Sequence, residues 1–170
     1  MSLLSGSTGS TPKNTAILFK KLTKKKPAPR NPLLSSINCL SWNVRSINNK
    51  IDHVMDFICD EDISIAFIQE TWLKDNNNHT TSIVKTRGYR LHHIYRKDVT
   101  GGGVAIISKW SLKIAKIFLN HGKTFESVSA KLFLPSGKSV LCCCIYQTGP
   151  ILQQFVSEFD QFVGQLFAVI

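Results

Sequence analysis

The segment "CLSWNVRSINNK", residues 39–50, decides the fold and supplies the first candidate site residue. The stretch "INCLSW" (37–42), which begins two residues earlier, has the apolar character of a buried strand, and Asn43 follows it directly. "RSINN" is typical of a turn. The next stretch, "KIDHVMDFICD" (50–60), places apolar residues at helical spacing, at Ile51, Val54, Met55 and Ile58. The segment therefore predicts a strand that ends at a polar residue, then a turn and an amphipathic helix.

A second strand follows this helix and also ends in a polar residue. "ISIAFI" (63–68) is short and continuously apolar, which suits a strand covered on both faces, and it leads into "QETW" with Glu70. If the two strands lie parallel and near each other, Asn43 and Glu70 emerge at the same sheet edge. An amide and a carboxylate there can hold a hard divalent cation, because Mg²⁺ prefers oxygen ligands and takes few carboxylates from the protein.

The remaining segments complete an α+β pattern. "LKDNNNHTTSIVKT" (73–86) is polar and predicts a loop, and "GYRLHHIY", "GVAIIS" and "LKIAKIFL" predict strands. "FESVSAKLFL" and "SVLCCCIY" flank the turn "PSGK" and predict a hairpin, before a helix in "QQFVSEFDQFVGQLF". A two-sheet β-sandwich flanked by helices accommodates this order. Tyr146 follows the last strand, where its phenol can donate a hydrogen bond to a phosphate oxygen.

The positive charge is concentrated at the N-terminus. Of 21 Lys and Arg, seven lie in residues 1–34, which hold none of the 11 Asp and Glu. Scattered prolines and like charges predict a flexible basic tail over 1–34 and a mildly basic domain over 35–170. The tail segment "FKKLTKKKPAPR" has three open roles: sequence-independent contact with DNA phosphates, nuclear import, or simple solvation.

Cysteine usage and hydropathy indicate an intracellular protein. The chain has five cysteines, three of them adjacent at 142–144, and no CxxC pair, so free thiols in a reducing compartment are expected. No apolar stretch approaches the ~18 residues that a membrane-spanning helix needs, and we expect neither a signal peptide nor a membrane partner.

Five motifs in order carry a resemblance to a known family. "WNVRSINNK", "IAFIQETW", "GGGVAII", "FESVSAKL" and "CCCIYQTGP" resemble the endonuclease/exonuclease/phosphatase superfamily, and within it the apurinic-type endonuclease domain of non-LTR (LINE-like) retrotransposons. The resemblance covers about residues 36–170 and implies a DNase I-like fold. It also implies Mg²⁺-dependent (or Mn²⁺-dependent) hydrolysis of DNA phosphodiester bonds, that is, nicking.

The resemblance assigns roles to individual residues. Asn43 would help to organise the metal and the phosphate, Glu70 would be the metal ligand, and Tyr146 would contact the scissile phosphate. These three are the candidate catalytic residues, with Glu70 and Asn43 at the metal. Glu126 matches a recurring family position, which we interpret as structural. "GGGVAII" is compatible both with a tight turn and with a close backbone approach.

Two family motifs are absent from the 170 residues. The strand ending in "GDFN" and the later serine–aspartate–histidine motif do not occur, so a truncated fold, a weakly held metal and little activity are expected. Two alternatives stay open: a non-catalytic remnant that binds nucleic acid through its basic tail, and a phosphoesterase acting on phospholipid or inositol phosphates. The retrotransposon-like "NVRSINNKID" and "GGGVAII" argue against the second.

Overall fold

The computed structural model describes residues 16–19, 36–96, 101–119, 122–147 and 149–169. In these residues the first sheet has the strand order β1-β2-β3-β5-β4. Its strands are β1 (Ala16–Phe19), β2 (Cys39–Asn43), β3 (Ile65–Gln69), β4 (Tyr89–Ile94) and β5 (Val104–Lys109). The second sheet has the order β6-β7-β8 and comprises β6 (Lys113–Ile117), β7 (Phe125–Phe133) and β8 (Ser139–Gln147). The helices are α1 (Ile51–Asp60), α2 (Asn78–Thr86) and α3 (Gln153–Ala168).

The unit β2–α1–β3 confirms the parallel arrangement on which the site prediction depends. β2 and β3 are parallel neighbours, and Asn43 lies opposite Gln69 at their carboxyl ends. The helix covers one face of the sheet with its apolar side, and the resulting cluster includes Ile51, Val54, Met55, Ile58, Leu40, Ala66, Ile68, Ala105 and Ile107. Burial of this helical stripe fixes the connection between the two strands, and their ends therefore meet at one edge.

The two sheets pack face to face, which confirms the predicted sandwich. Alternate residues of β3, β5, β7 and β8 form a second cluster between the sheets, built around Ile65, Val104, Ile106, Val128, Ala130 and Cys144. Because side chains alternate along a strand, each central strand contributes one set of residues to this layer and the other set to a helix-covered face. The fold is thus an α+β two-sheet sandwich flanked by helices.

The β7–β8 hairpin and α3 occur as predicted. Gly137 adopts φ +79° in the hairpin turn, where the Leu134 backbone N–H donates to the Lys138 carbonyl at 2.8 Å. On the outer face of β7, the ring of Phe125 contacts three phenylalanines of α3 edge to face, namely Phe155, Phe159 and Phe162. This aromatic cluster holds α3 against the second sheet.

The prediction of a loop over residues 73–86 is wrong at α2 (Asn78–Thr86). This helix buries only Thr80 and Val84, so its apolar periodicity is too weak to stand out in the sequence. Val84 packs into the same cluster as Tyr89 of β4. Tertiary packing of one or two side chains, rather than intrinsic propensity, therefore stabilises this helix.

Four residues within the predicted tail of residues 1–34 lie in a strand. Ala16–Phe19 form β1, which pairs antiparallel with β2 over Cys39–Trp42. A short apolar segment can pair with the backbone groups of a sheet edge. The basic residues around this segment hide the strand pattern in the sequence. The remaining tail residues lie outside the described part of the chain.

The cysteines are free thiols, as predicted. Burial raises the pKa of Cys142 to about 11 and that of Cys144 to about 12. Both residues lie in β8, with Cys144 in the layer between the sheets. Among the described residues, no helix has the length and apolar character needed to cross a membrane.

Candidate active site

Asn43 and Glu70 lie together at the carboxyl end of the parallel strands. The Asn43 Nδ2 group donates a hydrogen bond of 2.8 Å to Glu70 Oε1. The Asn43 Oδ1 atom accepts a hydrogen bond of 3.2 Å from the backbone N–H of Arg45. The amide is therefore oriented from both ends, with its nitrogen directed at the carboxylate. The structure brings together the two side chains that the sequence placed at one sheet edge.

Tyr146 joins this pair from the other sheet. Its hydroxyl donates a hydrogen bond of 2.7 Å to Glu70 Oε1, so a single carboxylate oxygen accepts from both Asn43 and Tyr146. Within the described part of the chain, no hydrogen bond reaches the other oxygen, Oε2. All three predicted site residues thus converge on one carboxylate, and they come from β8 and from the ends of β2 and β3.

The electrostatics of the site keep the carboxylate charged and the phenol neutral. Partial burial of Glu70 opposes ionisation, but the hydrogen bonds from Asn43 and Tyr146 and the positive charge of Arg45 outweigh it and lower the pKa. The pKa of Tyr146 is raised to about 12, first by burial and then by its hydrogen bond to the charged Glu70. At neutral pH the site therefore presents an anion and a hydrogen-bond donor.

The backbone at Glu70 is held in an uncommon conformation. Glu70 has φ +51°, in the left-handed region that a non-glycine residue seldom adopts. Its carbonyl accepts a hydrogen bond of 2.8 Å from the Ser46 N–H, and the next residue, Thr71, donates to the Gly103 carbonyl at 3.1 Å. These contacts fix the carboxylate on a turn that is tied both to the β2–α1 loop and to the start of β5.

Glu126 ties the glycine segment at the start of β5 to the second sheet. Its side chain is 10% exposed, accepts a hydrogen bond of 2.6 Å from the Gly103 N–H, and forms an ion pair with Arg96 Nε. A Cβ on Gly102, which has φ +72°, would lie 2.7 Å from Glu126 Oε1. Glu126 is also opposite Tyr146 in the β7–β8 ladder. The contacts support the interpretation of Glu126 as structural and of the glycines as a close approach.

Arg96 is a site residue that the sequence reasoning missed. Its guanidinium is close enough to Tyr146 for its positive charge to oppose the rise in the pKa of that phenol. Its side chain remains 29% exposed although it is paired with Glu126. Arg96 follows the end of β4, which pairs with the start of β5. The sequence shows that Arg96 follows a predicted strand, but only the pairing of β4 with β5 places it at this edge of the sheet.

The donor set fits a hard divalent cation held mainly by water and substrate. The described residues contain no group of three or more His, Cys, Asp or Glu that could hold a metal ion, so they form no all-protein metal cage. Among the described residues, one oxygen of Glu70 receives no hydrogen bond, and it lies next to the amide of Asn43. Mg²⁺ retains several waters and is bound through one or two carboxylates and substrate phosphates, which matches this arrangement.

Solved structures of other proteins share this fold. The 3′ phosphatase NExo from Neisseria, bound to product DNA hairpin, is 21% identical with a TM-score of 0.55, over 78% of this chain and 53% of that one. The human Nocturnin catalytic domain with bound sulfate anion is 13% identical with a TM-score of 0.56, over 77% and 57%. D. rerio TDP2, complexed with single strand DNA product, is 15% identical with a TM-score of 0.53, over 78% and 54%.

These likenesses establish the fold, and the chain spans only about half the length of these proteins. No curated protein matches the sequence. A family model described as the endonuclease/exonuclease/phosphatase family matches residues 40–151, a range that includes Asn43, Glu70 and Tyr146. The match covers most of the domain and agrees with the sandwich architecture. The chain therefore belongs to the endonuclease/exonuclease/phosphatase family.

Proposed function

We propose that this chain is the metal-binding and phosphate-binding part of a DNA endonuclease of the apurinic type found in LINE-like retrotransposons. The observation that carries the proposal is the convergence of Asn43 and Tyr146 on one oxygen of Glu70. No other described residue donates to the second oxygen, which could therefore bind a cation. The sequence motifs "NVRSINNKID" and "GGGVAII" favour the retrotransposon branch. Two of the structurally similar proteins hold DNA products, which supports a nucleic-acid substrate.

The three candidate residues have different roles in the proposed reaction. Glu70 would hold Mg²⁺ or Mn²⁺, and Asn43 sets the direction of the carboxylate through its Nδ2 hydrogen bond. When bound, the cation supplies positive charge for the negative charge that develops on the phosphate oxygens. Tyr146 stays protonated at neutral pH, because its pKa is about 12, and therefore acts as a hydrogen-bond donor. In the presence of substrate that donor can turn toward a phosphate oxygen.

The same contacts predict that this chain nicks DNA slowly by itself. The described partners of Glu70 are an amide, a phenol and a guanidinium, and none of these is a base at neutral pH. A positioned general base contributes about 10²–10⁴-fold to such a reaction. We therefore expect the chain to bind the cation and a phosphodiester well before it shows appreciable turnover.

Metal binding is the direct test of the site. Mn²⁺ binding, followed by electron paramagnetic resonance at neutral pH, should be lost in Glu70→Gln, because the variant keeps the shape of the side chain and removes its charge. Asp160→Asn is the matched control, since Asp160 is an exposed carboxylate on α3, and no hydrogen bond or ion pair of the described residues joins it to the site. Equal Mn²⁺ binding by wild type and Glu70→Gln would refute the metal assignment.

Substrate choice separates the proposal from the phosphoesterase alternative. Supercoiled plasmid, a phospholipid and an inositol phosphate are incubated with the chain, with and without Mg²⁺. We expect only plasmid relaxation, weak and abolished by Glu70→Gln. Release of phosphate from the lipid or inositol substrate without plasmid nicking would overturn the choice of DNA. Strong nicking that depends on Glu70 would support the site and contradict the expected slowness.

A second candidate function is retained because of the charge distribution. The seven cations of residues 1–34 suit sequence-independent DNA binding without catalysis. A variant that leaves β1 intact replaces five lysines by glutamine: Lys20, Lys21, Lys24, Lys25 and Lys26. If all five neutralise duplex phosphates, the slope of log K against log[salt] flattens by about 4.5. An unchanged slope would place the contact surface on the domain.

A further inference from the structure

Trp72 is an exposed aromatic residue at the edge of the candidate site, and the roles assigned so far do not use it. It lies two residues beyond Glu70, and its side chain is 39% exposed. It also has φ +55°, which is a rare conformation for a bulky residue and raises the free energy of the fold. A glycine at this position would adopt the same backbone without cost. An indole kept in such a conformation suggests a use for the ring.

The contacts of Trp72 hold its backbone, and the residue stays partly exposed. Its backbone N–H donates to the Gly102 carbonyl at 2.8 Å, and its backbone carbonyl accepts a hydrogen bond of 3.2 Å from Asn48 Nδ2. The indole rests against the backbone of Gly101, where a Cβ would lie 3.7 Å from the ring nitrogen. The glycine segment therefore lies directly against one part of the ring.

The glycine segment connects the indole of Trp72 to the side of the site that would bind phosphate. Gly101, beneath the indole, is followed by Gly102, whose Cβ position would lie 2.8 Å from Arg96 Nε. The charge of Arg96 in turn acts on Tyr146, and Tyr146 donates to Glu70. An anion, a phenol, a guanidinium and an exposed indole thus occupy one rim of the sandwich.

A second exposed tryptophan provides the comparison. Trp110 is 51% exposed and follows the far end of β5, whereas the glycine segment precedes the start of that strand. Five strand steps separate the two ends, roughly 17 Å. Its φ is not positive, so no backbone strain marks it. Trp110 represents an ordinary surface tryptophan away from the site.

We propose that Trp72 is a stacking platform for an unpaired nucleobase next to the phosphate bound at Glu70 and Tyr146. The inference rests on the proposed function and adds that the substrate is read as single-stranded or locally opened DNA. Stacking on an aromatic ring tolerates any base, because every base has a π-face. It therefore adds affinity without sequence preference, in keeping with the phosphate contacts.

The test compares a base-bearing ligand with a base-free one of equal charge. Binding of a dye-labelled oligodeoxythymidylate and of an abasic oligomer of the same length is measured by fluorescence polarisation with Mg²⁺. Trp72→Ala should weaken thymidylate binding by about 5- to 150-fold and leave abasic binding unchanged. Trp72→Phe should recover most of the loss, and Trp110→Ala should alter neither.

Trp72→Gly separates binding from folding. Both small variants lose the packing of the ring, but glycine also relieves the positive φ. Trp72→Gly should therefore resist urea better than Trp72→Ala while it loses the same base-dependent part of the affinity. An equal loss on both oligomers, or no loss on either, would overturn the stacking role and leave the proposed function standing. Failure of the wild-type chain to bind either oligomer would overturn both proposals.

Discussion

Gly103→Ala is expected to destabilise the chain by about 2–4 kcal/mol, much more than an alanine at a comparable glycine elsewhere. Gly103 has φ +82°, and an L-residue in the left-handed region costs about 1–2 kcal/mol. Alanine recovers about 0.4–1 kcal/mol by restricting the unfolded chain. The added Cβ would lie 2.5 Å from Thr71 Oγ1 and 3.3 Å from the Ile94 carbonyl, and such overpacking costs a further 1–3 kcal/mol or so.

Relief of this clash is restricted by its surroundings. Thr71 is fully buried, so its hydroxyl cannot turn into solvent, and it follows Glu70 directly in the chain. A shift of Thr71 would move the carboxylate that Asn43 and Tyr146 hold. The substitution should therefore reduce Mn²⁺ binding as well as stability.

Gly137→Ala is the matched control. Gly137 has φ +79° but no atom within 4 Å of its Cβ position, so only the backbone term remains, about 1 kcal/mol or less. Urea unfolding curves of the two variants, fitted with a common m-value, measure the difference. If both variants lose the same stability, the close approach of the glycine segment to Thr71 does not constrain the fold, and the reasoning fails.

Three further changes test the site and the core. Tyr146→Phe should raise the pKa of Glu70, as measured by a carboxyl-carbon NMR titration. A pKa that is lower in the folded chain than in the unfolded chain stabilises the fold above the unfolded-state pKa, and this stabilisation is lost as the pH falls through the folded-state pKa. The variant should therefore be less stable than wild type at neutral pH, and the two should have the same stability in acid. Arg96→Ala strands a buried carboxylate and should cost about 1–3 kcal/mol in urea unfolding. Phe162→Ala should lower the free energy of unfolding by about 3–5 kcal/mol, because Phe162 is buried. Phe167 is 71% exposed, so Phe167→Ala should change the free energy of unfolding by no more than about 0.5 kcal/mol. Equal losses in the two variants would refute the packing of α3.

The sequence predicted the part of the site that depends on local order along the chain. Two apolar strands joined by one amphipathic helix nearly require a parallel pair, and the polar residue after each strand then reaches the same edge. Asn43 and Glu70 follow from this rule. Tyr146 could be placed by the same kind of signal, a polar residue after a buried strand, but only the packing of the second sheet brings it to Glu70.

The parts that could not be predicted depend on contacts between distant segments. The helix α2 was missed because its stability comes from Val84 packing beside Tyr89 and not from its own composition. Arg96 could not be recognised without the pairing of β4 with β5 and the carboxylate of Glu126. The importance of Trp72 rests on a backbone dihedral angle, which no hydropathy pattern reports.

Cys144, the buried cysteine of β8, makes the opening of the second sheet measurable without an introduced probe. Because burial raises its pKa to about 12, this thiol has almost no thiolate form at neutral pH in the folded chain. Because the thiolate is the reactive form, alkylation by iodoacetamide should report how often the strand becomes exposed. Tyr146 lies on the same strand, so a cation and oligonucleotide bound there should slow the labelling by mass action.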